Sequence, residues 1–179
     1  MLLGRKDVDP NKPDHQGKTA LLLAIEAEYE GMARILLGWD NIDPNKADDK
    51  GRTPLLLAAR YGEEELVNML LERDDINPDV SDMDGQTPLY RAALHGHEDV
   101  VRILLRWDEV NPGNPNKCRQ TALSLAIRNG DTHVIVLLQP PTAAAPNPYQ
   151  ARGGIALAAT FECPTTNLNL VFSRTRELL

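Results

Sequence analysis

Gly51-Arg52-Thr53-Pro54-Leu55-Leu56-Leu57-Ala58-Ala59 decides the fold, because the chain repeats this pattern at a fixed interval. The threonines at its centre, Thr19, Thr53, Thr87 and Thr121, follow one another at 34-residue steps. A unit this short cannot bury its own apolar face, so it must stack on its neighbours to be stable. The period therefore predicts a chain of stacked units rather than one closed core.

Each residue type in the pattern has a physical role. Threonine can cap a helix by accepting a hydrogen bond from a free amide of the first turn. Pro54 and Pro88 come directly afterwards, where the missing N–H costs nothing. Glycines precede the threonine at Gly17, Gly51 and Gly85 and recur after the apolar run at Gly62, Gly96 and Gly130. They predict a tight turn before each first helix and a left-handed residue at its end.

A second helix and a hairpin complete each unit. Apolar residues over 66–71 and 100–105 follow helical spacing. The dipeptides Asp43-Pro44, Asn77-Pro78 and Asn111-Pro112 then disfavour helix. Each unit is therefore predicted to be helix, turn, helix and projecting hairpin.

Two units depart from the pattern. Glu28 stands where the first unit should have its turn glycine, so either a non-glycine residue is held left-handed or the turn shifts towards Gly31. The fourth unit, which opens at Asn116, has lost both the aspartate and the first glycine. We expect the first unit to be the irregular one.

These features resemble the ankyrin repeat family. The resemblance is carried by Gly51 to Ala59 and by Gly96-His97 leading into the apolar run at 100–105, and it covers residues 1–139. It implies an all-α, ankyrin-type helix-turn-helix solenoid with projecting hairpin loops. The family's histidine after Thr-Pro-Leu is replaced in all four units, by Leu22, Leu56, Tyr90 and Ser124.

The period also divides the chain. Four repeats are expected at 14–47, 48–81, 82–115 and 116–139, preceded by a truncated repeat remnant at 1–13. Residues 140–149 are rich in Pro and Ala and are expected to form a linker. Residues 150–179 are expected to be a degenerate fifth repeat or C-terminal cap, with a disordered tail as the alternative. We expect a fragment of a longer protein or, alternatively, a natural short chain whose front end is covered by a partner or a second copy.

Composition narrows the function. The net charge is −7 and there is no basic stripe, which disfavours nucleic acid as a partner. No apolar run is long enough to cross a bilayer, and the first residues are not organised as a signal peptide. Cys118 and Cys163 make neither a metal spacing nor a disulfide framework. We expect a cytoplasmic protein, with the nucleus left open.

No motif indicates catalysis, a cofactor or a metal. His95, His97 and Asp99 could suggest a metal site, but His97 occupies the position after the turn glycine that the family fills for packing. Asp82-Met83-Asp84-Gly85 resembles the start of a calcium loop but lacks the closing glutamate. We expect no enzyme, no cofactor and no metal.

The resemblance places a partner-binding surface on the concave face, made by hairpin tips and the exposed sides of the first helices. We expect Tyr61 and Leu94, flanked by Arg60 and His95, to be its centre, since aromatic, apolar and arginine side chains dominate binding hot spots. Trp39 and Trp107 share another position, where they either cover helix ends or contact the partner. The full expected set is Trp39, Arg52, Arg60, Tyr61, Met83, Gln86, Leu94, His95, Trp107 and Arg128.

The hairpin between repeats two and three carries acids without a lysine or arginine among them: Asp74, Asp75, Asp79, Asp82 and Asp84. The cluster could steer a basic partner. The alternative is a solvated acidic edge in which Asp82 is structural.

The sequence thus predicts a non-catalytic module that binds another protein. The alternative is a regulatory or sensing arm of a larger protein, such as an ankyrin-bearing NTPase. We expect a monomer, whose uncapped N-terminal end offers a surface for self-association.

Overall fold

A computed structural model of the protein describes residues 9–139. Within this range the chain forms eight α-helices and no strand. In chain order they are α1 (Ala20–Glu26), α2 (Glu30–Leu37), α3 (Pro54–Tyr61), α4 (Glu64–Leu71), α5 (Pro88–His95), α6 (Glu98–Leu104), α7 (Ala122–Asn129) and α8 (Thr132–Leu138). The predicted all-α solenoid is confirmed.

The helices form two layers. The first helix of each pair packs against its own second helix and against the first helix of the next pair, which makes an inner layer of α1, α3, α5 and α7. Helices α2, α4, α6 and α8 stack in the same way as an outer layer. The apolar core runs without interruption between them, from Leu21 to Leu138. Each pair is therefore sheltered by its neighbours, as the period predicted.

The repeated threonines cap the inner helices. The side-chain oxygens of Thr19, Thr53, Thr87 and Thr121 accept hydrogen bonds from the amide three residues on, over 3.2–3.3 Å. At α7 the capping is reciprocal, because Ser124 Oγ also accepts a hydrogen bond from the amide of Thr121 at 2.9 Å. The predicted helix starts are confirmed.

The inner helices end in a left-handed residue. Gly62, Gly96 and Gly130 have φ between 72° and 77°. In the first repeat Glu28 takes the same place with φ 56°, and Gly31 lies inside α2. The turn does not shift, so the first repeat keeps the common backbone and retains a non-glycine residue in a conformation that costs about 1 kcal/mol.

The hairpin tips are held by one side chain each. Asp48 Oδ1 accepts from the amides of Lys50 and Arg52, both at 2.9 Å. Asn116 Oδ1 makes the same two bonds in the fourth repeat, at 2.9 Å, and Arg119 adopts φ 59° in place of the missing glycine. The fourth tip keeps its shape despite both substitutions, because an amide oxygen accepts hydrogen bonds as a carboxylate does.

Neighbouring tips are joined through the backbone. The amides of Asp49, Met83 and Lys117 donate to the carbonyl oxygens of Gln16, Lys50 and Asp84 over 2.9–3.1 Å. These bonds fix the rotation of one repeat on the next, so the tips form one continuous edge beside the inner helices.

Residues 1–8 and 140–179 lie outside the described part of the chain. The expected linker at 140–149, the fifth repeat or cap at 150–179 and most of the remnant at 1–13 therefore remain predictions. Within residues 9–139, no helix combines the length and apolar character needed to span a bilayer.

Candidate partner-binding surface

The inner surface is defined here as the exposed side of α1, α3, α5 and α7 together with the hairpin tips. It brings together eight of the ten residues expected from the sequence. They are Arg52, Arg60, Tyr61, Met83, Gln86, Leu94, His95 and Arg128. Trp39 and Trp107 follow the outer helices α2 and α6 and do not belong to it.

The centre of this surface lies at the C-terminal ends of α3 and α5. The guanidinium carbon of Arg60 is 5.5 Å from the centroid of the Tyr61 ring, within cation–π range. Tyr61 and Leu94 are both half-buried, and Met83, on the hairpin tip before α5, is 61% exposed. An aromatic, two apolar groups and an arginine are thus presented to solvent.

His95 completes this centre and is stacked on His97, with ring centroids 6.0 Å apart. The pKa of His95 is lowered, first by loss of hydration around the ring and then by the positive charges of Arg60, His97 and Arg91. Residue His95 nevertheless keeps a solvent-exposed side. It is therefore a neutral, accessible hydrogen-bonding group at neutral pH.

Arg52 is placed differently from what its sequence position suggested. It is 9% exposed, and its Nε and Nη2 donate to Asp48 Oδ2 at 2.7 and 2.5 Å. Glu26 lies 3.5 Å away on the other side. The guanidinium is occupied within the hairpin, so we leave Arg52 out of the surface proposed below.

Sequence reasoning missed Arg91. Its Nη2 lies 2.5 Å from Asp82 Oδ2, so α5 supplies the cation that Arg52 supplies in repeat two. In repeat three, Gln86 stands at the position that Arg52 holds in repeat two. Gln86 Oε1 and Arg91 Nε are both buried and have no hydrogen-bond partner. Alignment of the repeats could have indicated Arg91, because this arginine stands where the other copies have Leu23, Leu57 and Leu125.

The acidic hairpin between repeats two and three is largely neutralised. Asp75 pairs with Arg73 at 3.0 Å, and Asp82 pairs with Arg91. Asp79 is turned inward, where its Oδ1 is buried. The cations come from outside the run of acids, so the absence of basic residues within it did not indicate a free negative patch.

Free positive charge remains on the inner surface. Among the described residues, Arg60 and Arg128 make no ion pair, and neither do Lys50 and Lys117 on the tips. Three carboxylates of this region are occupied, since Glu26 pairs with Lys18 at 2.5 Å and Asp48 and Asp82 are paired as above, whereas Glu63 and Asp131, which follow inner helices, make no ion pair among the described residues. On the tips of repeats two to four, Asp49 and Asp84 are the acids that stay exposed. The inner surface of repeats two to four is therefore locally positive on a chain of net charge −7.

The two tryptophans are half-buried and pack against the core. At the same position in repeat two, Arg73 approaches the Leu37 carbonyl at 3.5 Å. This geometry favours a role in covering helix ends, and a partner contact at Trp39 or Trp107 stays a prediction.

His97 links two repeats. Its Nε2 is 2.9 Å from the Arg60 carbonyl oxygen, and its ring fills the space that a side chain on Gly62 would need. One ring nitrogen is thus used in holding α3 to α6.

Within residues 9–139, no group of three His, Cys, Asp or Glu side chains is arranged to hold a metal.

Cys118 is disulfide-bonded. This differs from the expectation that Cys118 takes no part in a disulfide framework.

The paired helices, shared hairpin edge and continuous core define a tandem-repeat helical solenoid. Comparison with known families identifies which one. The family model described as "Ankyrin repeats (3 copies)" matches this chain three times, over residues 1–82, 39–115 and 75–150. The chain belongs to the ankyrin repeat family, whose members generally mediate protein–protein interactions and are typically non-catalytic. No curated protein matches the chain as a relative.

Proposed function

We propose that this chain is a non-catalytic module that binds an acidic segment of another protein along the inner surface of repeats two to four. One observation carries the proposal. Arg60, Arg128, Lys50 and Lys117 make no ion pair within residues 9–139, while Glu26, Asp48 and Asp82 are occupied by other cations. An acidic partner would supply the missing counter-charges, and complementary charge favours both encounter and specificity.

The apolar centre provides the anchor. Tyr61 and Leu94 lie at the C-terminal ends of adjacent inner helices, and Met83 lies on the hairpin tip that precedes α5. Burial of such groups supplies most of the free energy of binding, whereas exposed ion pairs contribute about 0.2–1 kcal/mol each. We therefore expect a segment that combines acids with at least one large apolar residue. A standard interface buries about 800 Å² on each partner, which favours contacts with several repeats.

The test selects ligands from a displayed library of random peptides, with the full chain as bait. The proposal predicts that the recovered peptides are enriched in Asp and Glu around an apolar residue. The best of them is then synthesised, and its Kd is measured by fluorescence anisotropy. Replacing Arg60 and Arg128 together by alanine should weaken binding about 2–30-fold, since two exposed pairs together contribute about 0.4–2 kcal/mol.

Arg106→Ala is the matched control. Arg106 is exposed beyond the outer helix α6 and makes no ion pair among the described residues, so its removal changes the net charge without touching the inner surface. It should leave Kd unchanged. Peptides without acid enrichment, or equal weakening by Arg106→Ala and by the inner-surface variant, would refute the proposal.

Self-association, where it occurs, is proposed to use the front of the first repeat. Met32 is 50% exposed, while Leu66, Val100 and Val134 at the same position in the later repeats are at most 1% exposed. Tyr29 and Ile35 are also exposed large hydrophobic residues of this repeat. Sedimentation equilibrium of the wild type and of Met32→Glu tests this: any concentration-dependent mass should disappear in the variant, and a dimer that persists contradicts it.

A further inference from the structure

A ladder of side-chain hydrogen bonds joins successive hairpins. Asn11 Nδ2 donates to the Asn41 carbonyl at 2.7 Å, and its Oδ1 accepts from the Asp43 amide at 2.8 Å. One repeat later Asn45 makes the same two bonds, to the Asp75 carbonyl at 2.6 Å and from the Asn77 amide at 3.2 Å. Each asparagine thus connects a hairpin to the next one through one donor and one acceptor.

The third step of the ladder carries a different residue. Asp79 occupies the place of Asn11 and Asn45. Its Oδ2 accepts from the Asn111 amide at 3.4 Å and from the Asn114 side-chain amide. Its Oδ1 is buried and has no hydrogen-bond partner. By the repeat register, Oδ1 replaces the donating Nδ2, and the carbonyl it should meet is that of Glu109.

An ionised carboxylate cannot make this bond. Both of its oxygens accept hydrogen bonds only, so the buried Oδ1, which the repeat register places at the Glu109 carbonyl oxygen, is left unsatisfied. A protonated carboxyl has the shape of the asparagine amide and one O–H to donate. We propose that the joint between repeats three and four is a pH-dependent hydrogen bond, in which protonated Asp79 donates from Oδ1 to the Glu109 carbonyl oxygen and ionised Asp79 loses that contact.

The surroundings of Asp79 agree with this. Burial raises its pKa above the ordinary value, the hydrogen bonds from Asn111 and Asn114 lower it, and no neighbouring charge contributes. The charged side chains of the flanking segments are Asp43 and Lys46 before it, Asp108 and Glu109 after it, and on its own hairpin Asp74, Asp75 paired with Arg73, and Asp82 paired with Arg91. A raised pKa in the folded state means that the stabilisation is complete below the ordinary value and is lost as the pH rises through the folded-state pKa.

The consequence is a joint that loosens towards neutral pH. Repeat four carries Lys117 and Arg128, so the loosened joint lies between two parts of the inner surface. The proposal does not depend on what that surface binds.

Thermal unfolding of the full-length chain tests the proposal with two opposite substitutions. Asp79→Asn restores the ladder residue of the earlier repeats, and its Tm should exceed that of the wild type by about 3–8 °C near pH 7. The difference should shrink as the pH falls towards about 4, because the wild-type carboxyl then carries the proton. Asn45→Asp is the matched control: it should lower Tm near pH 7 and recover on acidification. Titrating groups that the wild type and both variants share affect every Tm alike, so they cancel in the Tm differences.

A Tm difference that is the same at every pH, or an Asp79→Asn chain no more stable than the wild type near pH 7, overturns the proposal. The side-chain carboxyl carbon of Asp79, followed by NMR in the wild type, gives an answer that does not depend on how the variants fold. It should titrate above the ordinary value of 3.8. Titration at or below that value contradicts the proposed proton.

Discussion

Replacing Asp48 by asparagine separates the two roles of its carboxylate. Oδ1 holds the hairpin tip through the amides of Lys50 and Arg52, each at 2.9 Å, while Oδ2 binds the Arg52 guanidinium. Asn116 shows that an amide oxygen can perform the first role in this fold. Asp48→Asn should therefore keep the turn and lose the ion pair.

The expected loss follows from burial. The Asp48 and Arg52 side chains are 2% and 11% exposed, so water does not replace the lost partner. A hydrogen bond to a charged group contributes about 1.5–3 kcal/mol, and Glu26 at 3.5 Å remains to compensate in part. We expect Asp48→Asn to lower the free energy of unfolding by about 2 kcal/mol.

A second substitution should restore most of this loss. Repeat four carries the neutral counterpart of the pair, in which Asn116 Nδ2 donates to Gln120 Oε1 at 3.4 Å. Adding Arg52→Gln to Asp48→Asn transplants that pair into repeat two and removes the buried guanidinium that has lost Asp48. The double variant should lie within about 1 kcal/mol of the wild type, giving a coupling free energy of at least about 1 kcal/mol.

The assay is urea unfolding of the wild type, both single variants and the double variant, followed by far-ultraviolet circular dichroism. Burial raises the pKa of Asp48, but the hydrogen bonds from Arg52 and Lys50 outweigh this and lower it. The contribution of the pair is thus present above the ordinary pKa of 3.8 and is lost as the pH falls through the lowered value, where the single variant and the wild type should converge. Additive losses in the double variant would refute the reasoning.

Two further predictions concern the left-handed turns. Gly62→Ala and Gly130→Ala should each cost about 1 kcal/mol for the positive φ, but Gly62→Ala should cost more, because an added Cβ would lie 2.6 Å from His97 Nδ1 whereas Gly130 has open space around it. Urea unfolding of both variants compares them, and equal losses would mean that the His97 ring moves away freely. Glu28→Gly should stabilise the chain by up to about 1 kcal/mol, because it relieves the φ of 56° at an exposed side chain. Calorimetry should show a small rise in Tm, and a fall would show that the Glu28 side chain itself is stabilising.

Most of the fold could be predicted because its determinants are local and repeated. A threonine that caps a helix and a glycine that ends one act on neighbouring amides, so their spacing alone locates α3 and α5. The substitutions at Glu28 and Arg119 did not change the backbone, since the contacts of adjacent repeats determine a turn more strongly than one residue's preference.

The site could be predicted less completely, because pairing across the stack is not local. The sequence pattern predicted that Arg52 is an exposed cation, but its guanidinium forms ion pairs with Asp48 and Glu26. Arg91 was missed although its place in a column of leucines marked it. The same comparison of equivalent positions shows that Asp79 stands where the earlier repeats have Asn11 and Asn45. It therefore indicates that the joint between repeats three and four differs from the others.

The central claim is that the inner surface of repeats two to four receives the partner. The most direct measurement is the backbone amide chemical-shift map of the full chain titrated with the selected acidic peptide. Binding at the inner surface should produce shifts concentrated in α3, α5 and α7 and in the tips at Lys50, Met83 and Lys117. Shifts concentrated instead in α4, α6 and α8 would contradict it.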